Sequence, residues 1–494
     1  MAETPAVRVR MAPGPTGPFH IGRTRTALLN WLFARHHGGT FVLRIEDTDQ
    51  KRSRPEHLQS ILDSLRWLNL TWDEGPDVGG PYPPYFQMGR LSTYQECAES
   101  LLRAGNAYTC YCTSAELDAL REEARREHRA FRYPRTCRYL SDEQRAAREA
   151  MGLSHVVRLA VPDEGATGFD DLVLGPIQVD NSEIDDFVIV KSDGIPTYNF
   201  AVVVDDVTME ISHVIRGQDH VPNTPRQILV YNFLGKKTPA FAHVPLVVGM
   251  DRGKISARHG AEAVVAYGDD GFLPESIINY LATLGASYPE EREIFSPEEL
   301  VEAFDLSHFG KASPVWNEEK LEWMNGVHIR SLSLDEFVER SLPFLQLRGL
   351  ISSPPTDEEL LRARRALALE QTRVRTLGDT PSAVEFFLQE KLAYDPATLV
   401  QKKSSPEEAS LILAAVARIL QEAAPSFSAS ELEPMFRHLT DELGLKTGTV
   451  FGTVRVAVTG RTAAPGLFET LEVLGRDTSL ARVNQAIESL RGWE

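Results

Sequence analysis

A chain of 494 residues is too long for one core and suggests three to five domains. Its 42% hydrophobic and 25% charged residues exclude a disordered or membrane-embedded chain. Four cysteines and the lack of a signal-peptide core near Arg8 and Arg10 point to a cytoplasmic protein without a disulfide framework. The net charge of −18 argues against a broadly basic nucleic-acid binder, but residues 1–54 hold nine basic and four acidic side chains. Phosphate recognition needs local positive surface rather than a basic total.

Val7-Arg8-Val9-Arg10-Met11 alternates as a strand does. The Pro/Gly-rich turn Ala12–Pro18 follows, and His20-Ile21-Gly22 opens a helix that runs on through Arg35. Strand, glycine turn and helix start form a phosphate-binding arrangement, with backbone N–H groups and the positive end of the helix dipole facing the ligand. His37-Gly38-Gly39 ends the helix, and Thr40–Ile45 is a second strand. The two strands and their helix predict a right-handed βαβ unit of a parallel sheet. Ligands of such sheets bind at the carboxyl ends of the strands, which places Arg10, His20 and Glu46 around one crevice. Asp49 or Ser53 is expected to cap the helix Glu56–Leu68.

Residues 55–105 read as two amphipathic helices around a Pro/Gly-rich link. Three of the four cysteines, Cys110, Cys112 and Cys137, lie within 28 positions. With Tyr133 or Tyr139 as a poor fourth ligand, they form either a zinc site or a set of reduced core cysteines. Residues 121–138 contain seven arginines and three glutamates, either a phosphate-facing helix or a solvated one. Residues 155–215 are strand-rich: Val156–Leu159, Phe187–Val190 and Val202–Val204 are expected strands, with a hairpin-like turn at 191–198. The stretch from Asp205 through Arg216 to the helix at Thr224 resembles a second half of the nucleotide fold, making residues 81–195 an insertion. Pro245–Gly249 reads as a strand and turn before a glycine-flanked basic loop, 251–260, suited to close over a triphosphate. From about residue 272 the pattern is helical.

These residues resemble the bacterial glutamyl-tRNA synthetases, class I enzymes of the glutamyl/glutaminyl family. The resemblance covers nearly the whole chain. It rests on Arg10–Gly17, His20-Ile21-Gly22, Leu43–Asp49, Asp193–Tyr198, Val214–Gly217, Asn223–Gln227, the loop at 254–258, and Trp323–Gly326. It implies a Rossmann-type α/β catalytic domain (1–80 and 196–250) with an inserted acceptor-binding domain (81–195). A stem-contact domain (251–325) and two helical anticodon-binding domains (326–390 and 391–494) would follow. The implied reaction is ATP- and Mg²⁺-dependent activation of L-glutamate, then transfer to tRNA(Glu), by a monomer.

The resemblance assigns His20, Gly22, Lys254 and Arg258 to catalysis. It assigns Arg10, Gly14, Glu46, Tyr198 and Arg216 to glutamate. Pro13, His20, Gly22, Asp219, His220, Val247, Lys254 and Ala257 would meet ATP. Arg373 and Arg455 would face the anticodon, and Cys110, Cys112, Tyr133 and Cys137 would hold zinc. Gly14 replaces the family's usual serine, Ala257 a lysine of the signature loop and Gln218 a frequent glutamate, while Tyr139 stands where some relatives have histidine. These departures admit an alternative: a specialised copy that charges tRNA(Gln), or a weakly active tRNA-binding paralogue. A plain nucleotidyltransferase is disfavoured, because it needs no long helical extension.

Overall fold

The protein is described by a computed structural model covering residues 6–253, 255, 263–423 and 426–492. It divides into two compact units, one of residues 1–266 with 274–318, the other of residues 267–273 with 319–494.

The strands described are β1 (Arg8–Met11), β2 (Thr40–Leu43), β3 (Ala107–Cys110), β4 (Val156–Leu159), β5 (Ala166–Asp171), β6 (Gly175–Asp180), β7 (Val188–Val190), β8 (His213–Gly217) and β9 (Ala240–Val244), all in the first unit. The expected βαβ unit is present: β1 and β2 pair in parallel, Arg8 opposite Thr40 and Met11 opposite Leu43. They are joined by α1 (Ile21–His36), whose buried Ala27, Leu28 and Leu32 press on the core. Gly38 leaves that helix at φ +58°, a left-handed conformation that glycine adopts without penalty. On the other side β8 and β9 pair in parallel. Ser212 N–H donates to Arg8 O at 3.0 Å, joining the halves between β1 and β8. The chain runs outward in opposite directions from this seam, so the carboxyl ends of β1 and β8 border the crevice where such sheets bind ligands.

Helix α2 (Pro55–Trp67) starts with Pro55 at its first position, and its N-cap is Arg54 without a side-chain hydrogen bond. The expected caps do other work: Asp49 accepts from Arg52 and Ser53 donates to the Asp49 carbonyl. Proline, already fixed near helical φ and lacking an N–H to satisfy, supplies the start instead. Between α3 (Leu91–Arg103) and β7, the strands β3, β4 and β7 form an antiparallel sheet with α4 (Ser114–Arg126) and α5 (Asp142–Ala150) alongside. The β5–β6 hairpin instead joins the other sheet, with Asp171 of β5 opposite Phe241 of β9.

Two expected strands are corrected. Val202–Val204 lies inside α6 (Tyr198–Thr208), a helix with buried residues around most of its circumference. A short β-branched run has no periodicity that separates a buried helix from a buried strand. The strand expected at Pro245–Gly249 is β9, five residues earlier; Pro245 has no N–H for a ladder. The turn at 191–198 does fold back, with Val190 bridged to Pro196, but leads into α6 rather than a strand. The unit also holds α7 (Thr224–Phe233), α9 (Pro274–Thr283) and α10 (Pro297–Ala303), while α8 (Val265–Asp269) begins in it and ends in the second unit.

The helical reading beyond residue 272 holds in the second unit. It contains most of α11 (Glu318–Ser331), then α12 (Leu334–Leu347), α13 (Asp357–Glu370), α14 (Thr380–Leu388), α15 (Pro406–Glu422), α16 (Ala429–Leu443), α17 (Thr447–Thr459), α18 (Leu467–Leu474) and α19 (Arg476–Arg491). Four of these helices open on capping boxes, Ser333/Glu336, Thr356/Glu359, Ser405/Glu408 and Ser428/Glu431. Each satisfies otherwise orphaned backbone N–H groups at the helix start. Their apolar faces bury two cores, one around Phe337, Leu367 and Phe386, the other around Ile412, Phe436 and Val454.

Candidate active site

The crevice at the β1/β8 seam is a cavity of about 500 Å³. All five residues expected to meet glutamate line it: Arg10, Gly14, Glu46, Tyr198 and Arg216. So do Pro13, His20, Gly22, Asp219, His220 and Val247, expected to meet ATP. Lys254, Ala257 and Arg258 lie outside the described residues.

His20 is the N-cap of α1, and its Nδ1 accepts the Gly22 N–H at 3.2 Å. An accepting Nδ1 carries no proton, so the neutral ring carries its hydrogen on Nε2. Burial, helped by the charge of Arg23, lowers the imidazole's pKa and favours this neutral form. His20 therefore offers an N–H donor to an anion.

Sequence reasoning missed Arg23, which lines the cavity and donates from Nη1 to the carbonyls of Gly14 and Gly17 at 3.1 and 3.4 Å. The available signal was a cation in the first turn of a helix, where the dipole disfavours one. It clasps the glycine turn against α1. The turn also touches the end of β2: a Cβ on Gly14 would stand 3.2 Å from the Glu46 carbonyl oxygen.

Below the cavity lies a buried ionic layer. Asp206 accepts from Arg10 Nε and Nη2 at 3.0 and 3.2 Å and from Arg44 Nη1 at 2.8 Å. Arg44, fully buried, reaches Glu46 from Nη2 at 3.2 Å. Asp205, one position along α6, receives Arg90, Gln87 and Tyr94 at 2.7–2.8 Å and lies 3.5 Å from Arg44 Nε. Arg44 was also missed; an arginine inside the apolar run Leu43–Ile45 was the available signal. Two arginines hold Asp206 below the usual carboxylate range against the penalty of burial. Glu46 behaves oppositely: burial outweighs Arg44 and Arg10 and pushes its carboxyl up to about 7.

Arg216 is anchored along one edge. Nη2 donates to Thr224 Oγ1 and Gln227 Oε1, both at 2.8 Å, and Nε donates to His243 Nε2 at 3.1 Å. Among the described residues Nη1 reaches only the Tyr198 hydroxyl, at 3.5 Å. That hydroxyl is also 3.0 Å from His220 Nδ1. Burial and neighbouring Arg216 lower His220 to about 4, so its ring is neutral near pH 7.

The cysteine cluster forms away from the cavity, with the three sulfur ligand atoms within 4.8 Å of one another. Cys112 Sγ lies 3.7 Å from Cys137 Sγ, close to the sulfur spacing of about 3.8 Å implied by tetrahedral zinc with bonds of about 2.3 Å. The Tyr133 oxygen is 3.1 Å from Cys110 Sγ and 3.6 Å from Cys112 Sγ. Tyr139 is 73% exposed, so Tyr133 is the tyrosine that joins the group. The residues present thus fit a tetrahedral cation.

The basic run at 121–138 is largely neutralised by its neighbours. Arg121, Arg125 and Arg129 pair with Asp118, Glu122 and Glu127, and Arg135 and Arg138 with Asp163 and Asp186. In the second unit Arg373 pairs with Glu370 at 2.9 Å and donates to the Ala464 carbonyl at 3.2 Å. Arg455 lies half-buried on α17, its Nε without a hydrogen-bond partner among the described residues.

Residues 6–323 match the family model of the catalytic domain of class I tRNA synthetases (E and Q), and residues 336–487 match an anticodon binding domain. The chain is 46% identical over 485 residues to a glutamate–tRNA ligase of Moorella thermoacetica, covering 98% of this chain and 99% of the relative. It is 47% identical to that of Symbiobacterium thermophilum, covering 97% and 99%. Among solved structures it resembles a glutamate tRNA ligase of Elizabethkingia meningosepticum in complex with its amino acid, with a TM-score of 0.90, 31% identity and coverage of 98% and 99%. The parallel sheet, the cavity at its seam and the helical extension thus accompany full-length similarity, and the chain belongs to the class I tRNA synthetases of the glutamyl/glutaminyl family.

Proposed function

We propose that this chain is a glutamate–tRNA ligase: it activates L-glutamate with ATP and passes the glutamyl group to the 3′-terminal adenosine of tRNA(Glu). One observation carries the reading. The cavity presents two guanidiniums, Arg10 and Arg216, each tied to the fold along one edge, together with the Glu46 carboxylate. Guanidiniums suit the two carboxylates of glutamate, and Glu46 suits its ammonium. An amide in place of the side-chain carboxylate leaves a buried cation unmatched, which is a basis for rejecting glutamine. The full-length relatives do not favour the alternative of a specialised or weakly active copy.

In the first step the α-carboxylate of glutamate attacks the α-phosphorus of ATP and pyrophosphate leaves. Positioning and charge neutralisation dominate such transfers. His20 Nε2–H and the start of α1 meet the phosphates, and Lys254 and Arg258 neutralise the departing charge. In the second step a ribose hydroxyl of the tRNA end, in this class usually the 2′-OH, attacks the glutamyl carbonyl and AMP leaves. Mg²⁺ would accompany ATP and offset charge on its phosphates; among the described residues Glu46 and Asp219 are the carboxylates lining the cavity. Cys110, Cys112, Cys137 and Tyr133 would hold a structural zinc ion.

The domain assignment is part of the same proposal: catalysis in 1–80 and 196–250, tRNA acceptor binding in 81–195, stem contact in 251–325 and anticodon reading, with Arg373 and Arg455, in 326–390 and 391–494. No helix among the described residues is long and apolar enough to cross a membrane. The test is charging of purified tRNA(Glu) and tRNA(Gln) with labelled glutamate. ATP-dependent charging of tRNA(Glu) is expected; neither charging nor ATP–pyrophosphate exchange with that tRNA present overturns the proposal.

A further inference from the structure

Behind Arg216 lies a hydrogen-bonded pair that does not line the cavity. His243, next to the last residue of β9, is fully buried, and Asp171, at the end of β5, is 4% exposed. His243 Nδ1 lies 2.6 Å from Asp171 Oδ2. His243 Nε2 receives Arg216 Nε–H at 3.1 Å and lies 3.0 Å from Thr224 Oγ1.

Both ends of the ring demand the same tautomer. A guanidinium has no lone pair, so Nε2 must be the acceptor. The carboxylate only accepts, so the proton sits on Nδ1. Asp171 is itself fixed by the backbone N–H groups of Val173, Leu174 and His243 at 2.8–3.2 Å. It cannot turn away without leaving buried donors unmatched. With Nε on His243 and Nη2 on Thr224 and Gln227, the orientation of Arg216 is fully specified.

We propose that Asp171 and His243 are positioning residues: Asp171 fixes the His243 tautomer, His243 keeps a lone pair for Arg216 Nε, and Arg216 is thereby held with Nη1 toward the substrate carboxylate. This rests on the reading above that Arg216 binds glutamate. Burial and the charge of Arg216 depress the basicity of His243, while the hydrogen bond from His243 helps to depress Asp171, so a neutral ring beside a carboxylate is the favoured pairing. Asp171 belongs to the inserted segment, so that segment helps to aim a side chain of the amino-acid site.

The test compares two substitutions that both remove the ring. In His243→Gln the amide oxygen reaches the place of Nε2 and can still accept from Arg216. In His243→Asn the shorter side chain can serve only the Asp171 side. Aminoacylation of the full chain with tRNA(Glu) should show a KM for L-glutamate about tenfold or more higher in His243→Asn than in His243→Gln, the scale of one hydrogen bond to a charged group. The KM for ATP and kcat should be similar in the two. Equal glutamate KM values overturn the proposal, since a purely structural role does not distinguish them.

Imidazole ¹⁵N spectra of histidine-labelled, unsubstituted protein give a measurement independent of any variant. A proton on Nδ1 and a lone pair on Nε2 of His243 are expected; a proton on Nε2 overturns the proposal. Absence of glutamylation by the unsubstituted chain would instead sink the glutamate reading and leave the tautomer result standing.

Discussion

Arg10 and Arg44 share one counterion: Asp206 takes Nε and Nη2 of the first at 3.0 and 3.2 Å and Nη1 of the second at 2.8 Å. This arrangement leaves Arg10 Nη1 without a hydrogen-bond partner among the described residues, at the edge of a cavity that the residue lines. Replacing Asp206 with alanine leaves two buried guanidiniums without their common partner. Removing one member of a buried ionic group costs on the order of 3–5 kcal/mol. Urea unfolding of Asp206→Ala should show a loss of that size, and Asp206→Asn a smaller one. The asparagine variant should still raise the KM for glutamate, because one oxygen that fixes Arg10 is lost. An unchanged KM would separate Arg10 from the amino-acid site.

Glu46 gives the site a pH dependence. Its carboxyl is raised to about 7 by burial, against the pull of Arg44 and Arg10. A substrate ammonium needs the ionised form. As pH falls through 7, Glu46 gains a proton and loses its attraction for that ammonium, so glutamate affinity should fall. The expected result is a KM for glutamate that rises steadily from pH 8 to pH 6, with less change in the KM for ATP. In Glu46→Gln the KM should be high at all three of pH 6, 7 and 8 and nearly flat. A wild-type profile as flat as the variant's would contradict the role.

Gly14→Ser restores the hydroxyl usual in the family. One hydrogen bond contributes about 1 kcal/mol net, so the KM for glutamate should fall by up to about fivefold. The added Cβ would stand 3.2 Å from the Glu46 carbonyl oxygen, which the turn must relieve by a few tenths of an ångström. A raised KM would mean that the close contact outweighs the new hydrogen bond and that this site is built around the bare glycine.

The cysteine cluster predicts about one zinc ion per chain by metal analysis, reduced markedly in Cys137→Ser. Tyr133→Phe should weaken retention against a chelator without abolishing it, because the three thiolates remain. Metal-free protein that keeps full thermal stability would show that the cluster is a set of reduced core cysteines.

Much of this was readable in the chain. The βαβ unit around His20 and the helices from α9 onward follow from local signals: alternation, glycine turns, capping boxes and helical periodicity. Strand ends and a helix start place Arg10, His20 and Glu46 around one crevice, and the family resemblance implies the other eight site residues that line the cavity. Val202–Val204 was misread because β-branched propensity is weak against tertiary burial, and a helix enclosed on most sides loses its amphipathic signature.

The sequence by itself brought Arg10, His20 and Glu46 to one crevice, because each sits within a few positions of a strand end or a helix start. Only the tertiary structure decided how those side chains are aimed. Asp206 takes up Arg10 and Arg44 from positions more than 160 residues away, and Asp171 reaches Arg216 through His243, which lies 72 positions further along the chain. A buried guanidinium points wherever its acceptors hold it, and those acceptors are brought together by strand pairing and helix packing, not by neighbouring positions in the chain.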